Sequence, residues 1–125
     1  MIDWNDYPNF TEDELRCQHT GLSGMTKEFM DKLQEIRTKY GKSMIVSSGY
    51  RHITHPIEAR KSSRGEHTYG MCVDIAIRGK EAVELLGVAQ SCGITRLGIQ
   101  QKGSGRFLHL GLGAEGLANP WIWSY

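Results

Sequence analysis

The sequence lacks the features that mark disulfide scaffolds and membrane proteins. Its three cysteines, Cys17, Cys72 and Cys92, are an odd number in 125 residues and have no Cys-x-x-Cys spacing. We therefore expect neither a disulfide framework nor a cysteine-rich zinc site, but three reduced and mostly buried thiols. No stretch approaches the roughly 18 consecutive apolar residues of a membrane span. Residues 1–6 have no signal-peptide pattern, so we expect synthesis in the cytoplasm and no membrane partner.

An excess of charge of one sign is also missing. Fifteen Lys and Arg residues oppose fourteen Asp and Glu residues, which leaves a formal net charge of +1. A protein that binds the phosphate backbone derives its affinity from a basic face, so nucleic acid is not an expected partner. With 39% hydrophobic residues, the chain is long enough to bury one core, and we predict a single domain over residues 1–125.

Helices are predicted in the first third of the chain and again near residue 80. Thr11 and Glu14 have the spacing of a capping box, which predicts a short helix over about 11–17. Apolar residues recur every three or four positions between Thr26 and Gly41, which predicts a longer helix. A further helix is expected over 80–91, and its predicted inward residues are Ala82, Val83, Leu85, Leu86 and Ala89.

Short β-favouring runs predict four strands, at 44–48, 71–77, 95–100 and 106–112, of which the last two form a hairpin. The aromatic tail, Trp121 to Tyr125, is expected to cover the core. Between the first two strands, residues 50–68 are almost entirely polar. We predict a long loop there with one helical turn after Pro56, and loops of this length are usually functional.

Ionisable side chains interrupt two of the apolar strands. Asp74 lies between two β-branched residues, where its carboxylate must lose its water unless a cation or several donors receive it. His109 lies between two leucines in the last strand, and His67 ends the polar loop. Two imidazoles and one carboxylate are the ligand set of a catalytic zinc site with an open fourth position. The alternatives are a hydrogen-bonded strand aspartate and histidines satisfied within the core.

Three motifs carry a family resemblance, and they occur in the order Ser48–Arg51 (Ser-Gly-Tyr-Arg), His67–Asp74 (His-Thr-Tyr-Gly-Met-Cys-Val-Asp) and Phe107–His109 (Phe-Leu-His). Their order and spacing resemble the zinc D-Ala-D-Ala carboxypeptidase family, which includes phage endolysins that cut peptidoglycan peptides. Phe10–Leu15 is similar to the opening of many phage members. The resemblance implies the hedgehog-like, lysostaphin-related zinc peptidase fold, here an α+β domain. A small, mainly antiparallel sheet would be covered by helices on one face and would carry a single zinc on the other.

The resemblance also assigns roles to residues. It implies that His67, Asp74 and His109 bind Zn²⁺ and that Arg51 meets a substrate carboxylate or the developing oxyanion, a placement that electrostatic catalysis requires. Gly70 would let the chain turn from His67 into the strand.

The chain departs from the family at the positions of the proton acceptor. Arg106, Phe107 and Gly111 stand where different relatives place a Glu, a His or an Asp. A zinc hydrolase needs a group that takes a proton from water and returns it to the leaving amine. Four candidates remain: Glu66, His52, His55 and Glu115. Of these we select Glu66 and His52.

The expected function is a zinc metallopeptidase, either carboxypeptidase or endopeptidase, that cleaves D-amino-acid-containing peptidoglycan peptides. We expect a monomeric phage or bacterial lytic enzyme that reaches the cell wall after release or delivery. Two alternatives stay open: a non-catalytic zinc-binding module of the same fold that binds wall peptide, and a binding domain without metal. The absence of a family base favours the first alternative, and the complete ligand set opposes the second.

Overall fold

Five strands form one sheet in the computed structural model, which describes residues 1–125. They are β1 (Ile45–Ser48), β2 (Cys72–Ala76), β3 (Arg96–Gln100), β4 (Phe107–Gly111) and β5 (Trp121–Ser124). The order across the sheet is β1-β2-β4-β3-β5. Neighbouring strands are antiparallel except β3 and β5, which run parallel. The predicted α+β class with a small, mainly antiparallel sheet is confirmed.

The chain also forms four α-helices: α1 (Glu12–Leu15), α2 (Lys27–Tyr40), α3 (Pro56–Ala59) and α4 (Gly79–Ser91). The capping box of Thr11 and Glu14 is present, although α1 ends earlier than predicted. Thr26 caps α2 and Gly41 ends it in the left-handed conformation, as its sequence indicates. None of the helices has the length and hydropathy that crossing a bilayer requires.

The core lies between the sheet and the two long helices. Apolar side chains of α2 and α4 pack there against the central strands, the main ones being Phe29, Leu33, Ile36, Leu85, Val73, Ile75, Leu108 and Leu110. Full burial of each such side chain contributes roughly 1.5–3 kcal/mol. Because successive strand residues point to opposite faces, Asp74 and His109 lie on the face away from α2 and α4. All three cysteines are free and buried, as predicted.

Two expectations about buried residues are wrong. Val83 is 71% exposed, because Ala82, Leu85 and Ala89 already form the buried stripe of α4 at helical spacing. The aromatic tail does not cover the core but forms the edge strand β5, which pairs with β3. Trp121, at the start of the strand, is 55% exposed, whereas Trp123 pairs with Gly98 and lies beside His109.

Candidate metal centre and active-site cleft

One row of residues crosses the sheet and builds the floor of the site. Asp74 in β2 pairs with His109 in β4, His109 pairs with Gly98 in β3, and Gly98 pairs with Trp123 in β5. Gly98 has no side chain, and a Cβ there would lie 2.7 Å from the indole of Trp123. The indole therefore lies over Gly98 and reaches His109, with ring centroids 4.8 Å apart.

His67 reaches this row from the end of the polar loop, which forms a 3-10 turn over Glu66–Tyr69. The turn ends at Gly70 with φ of 67°. A side chain there would overlap the Gly24 backbone, so both conformation and space require glycine. The residues that follow β1 hold His67 in place. Nδ1 of His67 donates to the carbonyl oxygen of Gly49 at 2.8 Å, and the amide of Arg51 donates to the His67 carbonyl at 3.1 Å.

Asp74 brings the two imidazoles together. Its Oδ2 lies 3.3 Å from Nε2 of His67 and its Oδ1 lies 3.0 Å from Nδ1 of His109. The three residues are each 4–5% exposed. The structure therefore brings together the three ligands that the sequence predicts, and it does so below the surface.

The hydrogen bonds of the two rings show which ring nitrogens are available to bind a metal. Nδ1 of His67 faces a carbonyl oxygen, and Nε2 of His109 lies 2.6 Å from Oε1 of Glu66. Since these oxygens only accept, each of those nitrogens carries a hydrogen. The other nitrogen of each ring faces Asp74, where it can bind a metal through its lone pair or carry a hydrogen that it donates to the carboxylate. Two lone pairs and a carboxylate at this spacing need a proton or a metal cation between them.

The donor set fits zinc. Tetrahedral zinc with bonds of 2.0–2.1 Å places neighbouring ligand atoms about 3.3 Å apart. The distances from the Asp74 oxygens to the two imidazole nitrogens, 3.3 and 3.0 Å, are close to this value. Ring nitrogens of metal-binding histidines usually donate to a carbonyl or carboxylate on the far side of the ring, as both do here. The thiol of Cys72 is a further donor that the sequence did not suggest. One ligand atom each of His67, Cys72 and His109 lies within 4.8 Å of the others.

The charges in this cluster are coupled. Burial raises the pKa of Asp74, but hydrogen bonds from His109 and His67 outweigh it and hold the pKa well below its usual range. Burial lowers the pKa of His109, whereas the carboxylates of Asp74 and Glu66 raise it by more. Burial also raises the pKa of Cys72 far above that of a free thiol. Without metal, Asp74 is therefore charged and Cys72 neutral.

Glu66 points into the site rather than away from it. In an extended segment Glu66 and His67 would face opposite sides, but the 3-10 turn brings both inward. The Glu66 carboxylate accepts from His109, from Nε of Arg96 at 3.0 Å and from the amide of Gly113 at 2.7 Å. Burial raises the pKa of Glu66, and these donors lower it below its ordinary value.

Arg51 lies at the edge of the same cluster. One of its terminal nitrogens (NH1) is 3.1 Å from Oε2 of Glu58, and the other (NH2) is 3.6 Å from Oδ2 of Asp74. Its side chain is 14% exposed and lines the cleft, where a ligand can reach it. Glu58, at the end of α3, was not singled out by the sequence.

Arg51, Glu66 and the three predicted zinc ligands line a cleft of about 560 Å³, within the range of small-molecule binding sites. Its walls include the cations Arg51, Lys61, Arg64 and Arg96, and the aromatic rings of Trp123 and Tyr125.

Three other residues considered from sequence lie outside the cleft lining. His52 pairs with Thr54 through Nδ1, and His55 caps α3 by accepting from the amide of Ile57. Glu115 is exposed in the turn before β5. The proton-transfer role of His52 stays a prediction.

Comparison with known proteins and protein families identifies the family of this chain. No curated protein matches the chain. The Peptidase M15 family model matches residues 8–111, a span that contains the three predicted zinc ligands and Arg51. This family consists of zinc peptidases related to the D-Ala-D-Ala carboxypeptidases. The chain belongs to the Peptidase M15 family of metallopeptidases.

Proposed function

We propose that this protein is a zinc-dependent peptidase that cleaves D-amino-acid-containing peptides of peptidoglycan, as a cell-wall lytic enzyme of a phage or bacterium. The observation that carries the proposal is the convergence of His67, Asp74 and His109 at the floor of a cleft that is open to solvent. It would act as a monomer on the wall, after synthesis in the cytoplasm and release or delivery.

The three residues would hold the zinc ion. When bound, zinc polarises a peptide carbonyl and lowers the pKa of a coordinated water to about 7. The other groups of the cleft act on the substrate. Four cations and two acids, Glu66 and Asp74, line it, so the lining carries an excess of positive charge. A peptide that carries free carboxylates, as peptidoglycan peptides do, suits this positive lining.

Arg51 is the residue best placed to bind such a carboxylate or a developing oxyanion. Glu58 holds one edge of its guanidinium, so the group is oriented before substrate arrives. Because Lys keeps the charge but lacks the planar fork, we expect Arg51→Lys to lose most turnover. Zinc content and melting temperature should stay at parental values, and parental turnover in this variant would refute the role.

The main experiment measures zinc and peptide cleavage in the same preparations. Elemental analysis of the purified protein should give one zinc per chain, and incubation with purified peptidoglycan should release new amino groups. Free D-alanine among the products would identify a carboxypeptidase, and its absence an endopeptidase. His67→Ala should lose both zinc and cleavage, whereas His19→Ala, at an exposed histidine, should lose neither. Unchanged zinc in His67→Ala would refute the ligand assignment.

The proton acceptors predicted from sequence enter the same assay. A positioned base typically contributes 10²- to 10⁴-fold, so Glu66→Gln or His52→Ala should lower turnover by that factor if the residue has this role. Turnover unaffected by either change would eliminate both.

A second candidate function is a non-catalytic zinc module that binds wall peptide. It is favoured by the engagement of Glu66 with three donors, which leaves no free carboxylate in the cleft. Zinc binding and retention on peptidoglycan without release of amino groups would support this candidate over the peptidase.

A further inference from the structure

Glu66 contacts His109 on the side of the ring that faces away from Asp74. The side chain of Glu66 is 2% exposed, and its Oε1 is 2.6 Å from Nε2 of His109. Nδ1, the nitrogen aimed at Asp74, is on the other side of the imidazole. The ring therefore separates the Glu66 carboxylate from the donor atoms that would surround a metal.

Two further contacts fix this carboxylate. Arg96 donates its Nε to Oε1, and the amide of Gly113 donates to Oε2. Arg96 is itself held, because NH1 donates to the carbonyl of Ala118 and its guanidinium lies 5.1 Å above the ring of Trp123. The position of the carboxylate is thus set from β3 and from the segment after β4, independently of His109.

The space for this carboxylate exists because residue 111 is glycine. Gly111 ends β4 two positions after His109, on the same face. A Cβ at this position would overlap Oε1 and Oε2 of Glu66. Any side chain at 111 must therefore displace the Glu66 carboxylate from His109.

We propose that Glu66 is a positioning residue, which fixes the rotation and tautomer of His109 so that Nδ1 points to the metal, and that Gly111 is required for it. The inference rests on the zinc site of the proposed function. It assigns Glu66 a role through His109 instead of direct proton transfer from water. Groups that orient a metal-bound histidine in this way typically change metal affinity or activity by 10- to 100-fold when mutated.

The test measures the zinc dissociation constant by competition with a chelator, without substrate. Glu66→Gln should weaken zinc binding 10- to 100-fold, because an amide cannot accept from all three donors of this pocket. Gly111→Ala should weaken it by a similar factor although Glu66 is intact. Visible spectra of the cobalt-substituted proteins should shift in both variants, since the orientation of a ligand ring changes. Melting temperatures of the metal-free proteins report separately on folding.

A double-mutant cycle tests the link between the two positions. In the Glu66→Ala background the obstructing carboxylate is gone, so adding Gly111→Ala should change zinc affinity less than twofold. Glu28→Gln, at an exposed helix position, and Gly105→Ala, with nothing within 4 Å of its Cβ position, are the matched controls. Both should bind zinc like the parent.

Each outcome decides the proposal. Parental zinc affinity in Glu66→Gln and Gly111→Ala overturns it, and lost turnover at that unchanged affinity would make Glu66 the base. Additive effects in the cycle overturn the role of Gly111. A parent protein that binds no zinc overturns this inference and the proposed function together. A parent that binds zinc but releases no amino groups refutes the peptidase alone.

Discussion

Three arginines line the cleft, and a buried carboxylate holds two of them. Arg51 pairs with Glu58, and Arg96 pairs with Glu66. Removing one partner of a buried pair is costly because the other charge stays desolvated. Glu58 is in this position, and its own partners are Arg51 and Lys61 rather than a predicted metal ligand. Its Oε2 accepts from Arg51 and Lys61, while its buried Oε1 has no hydrogen-bond partner.

The pairing of Glu58 predicts a pH-dependent contribution to stability. Burial raises the pKa of Glu58, but Lys61 and Arg51 lower it below its ordinary value. Stabilisation is then present above the unfolded pKa of about 4.3 and is lost as pH falls through the folded pKa. Glu58→Gln should lower the unfolding free energy by roughly 1–3 kcal/mol at pH 7, and the loss should shrink below about pH 4.

Urea unfolding of the zinc-free protein between pH 7 and pH 3.5 measures this difference. The control is Glu84→Gln, because Glu84 forms a more exposed ion pair with Lys42 that should contribute about 0–1 kcal/mol. A Glu58→Gln deficit that is as large at pH 3.5 as at pH 7 would show that the lost interaction is not ionic.

At the scale of elements, the two tryptophans of β5 have different surroundings. Trp123 lines the cleft and packs on His109, whereas Trp121 is 55% exposed and lies outside the cleft lining. Trp123 supplies no ligand atom, so its loss should affect substrate more than metal.

We expect Trp123→Leu to raise KM for a wall peptide by about 10-fold, since a lost apolar contact of this size costs roughly 1–3 kcal/mol. Zinc content should be unchanged. Trp121→Leu is the matched control and should leave KM at the parental value. Steady-state kinetics and elemental analysis check both variants. Equal effects of the two changes would mean that β5 matters only through its own stability.

The sequence predicted elements well where one local signal determined them. The capping residues Thr11 and Thr26 and the alternation around Asp74 and His109 were sufficient for their helices and strands. It failed for the tail, because pairing of β5 with β3 is a long-range, parallel contact that the local pattern Trp-Ile-Trp does not specify. Local sequence does not specify the orientation of Glu66 either, since the 3-10 turn ends where Gly70 packs against Gly24.

At the scale of the whole molecule, the predicted metal ligands come from three different elements. His67 is in the loop turn, Asp74 in β2 and His109 in β4. A bound ion would therefore cross-link the long polar loop to the centre of the sheet. Ligands that bind only the folded state stabilise it by mass action, about 4.1 kcal/mol at 1,000 times the dissociation constant.

Chelation should therefore lower the melting temperature. For a domain of this size, each kcal/mol corresponds to about 2–8 °C, so excess zinc and EDTA should give midpoints separated by several degrees. Differential scanning calorimetry measures the separation. In His109→Ala the two midpoints should coincide, and a separation that persists in this variant would place the stabilising zinc elsewhere.

The overlap between Glu66 and residue 111 also has an evolutionary consequence. Because the two side chains compete for one volume, a lineage can place an acidic group there from either position but not from both. Related sequences should therefore show covariation: glutamate before the first metal-binding histidine should accompany glycine two positions after the last one. A chain that acquired a bulky residue at 111 first would have to lose it before glutamate at 66 became tolerable, which makes the order of substitutions matter.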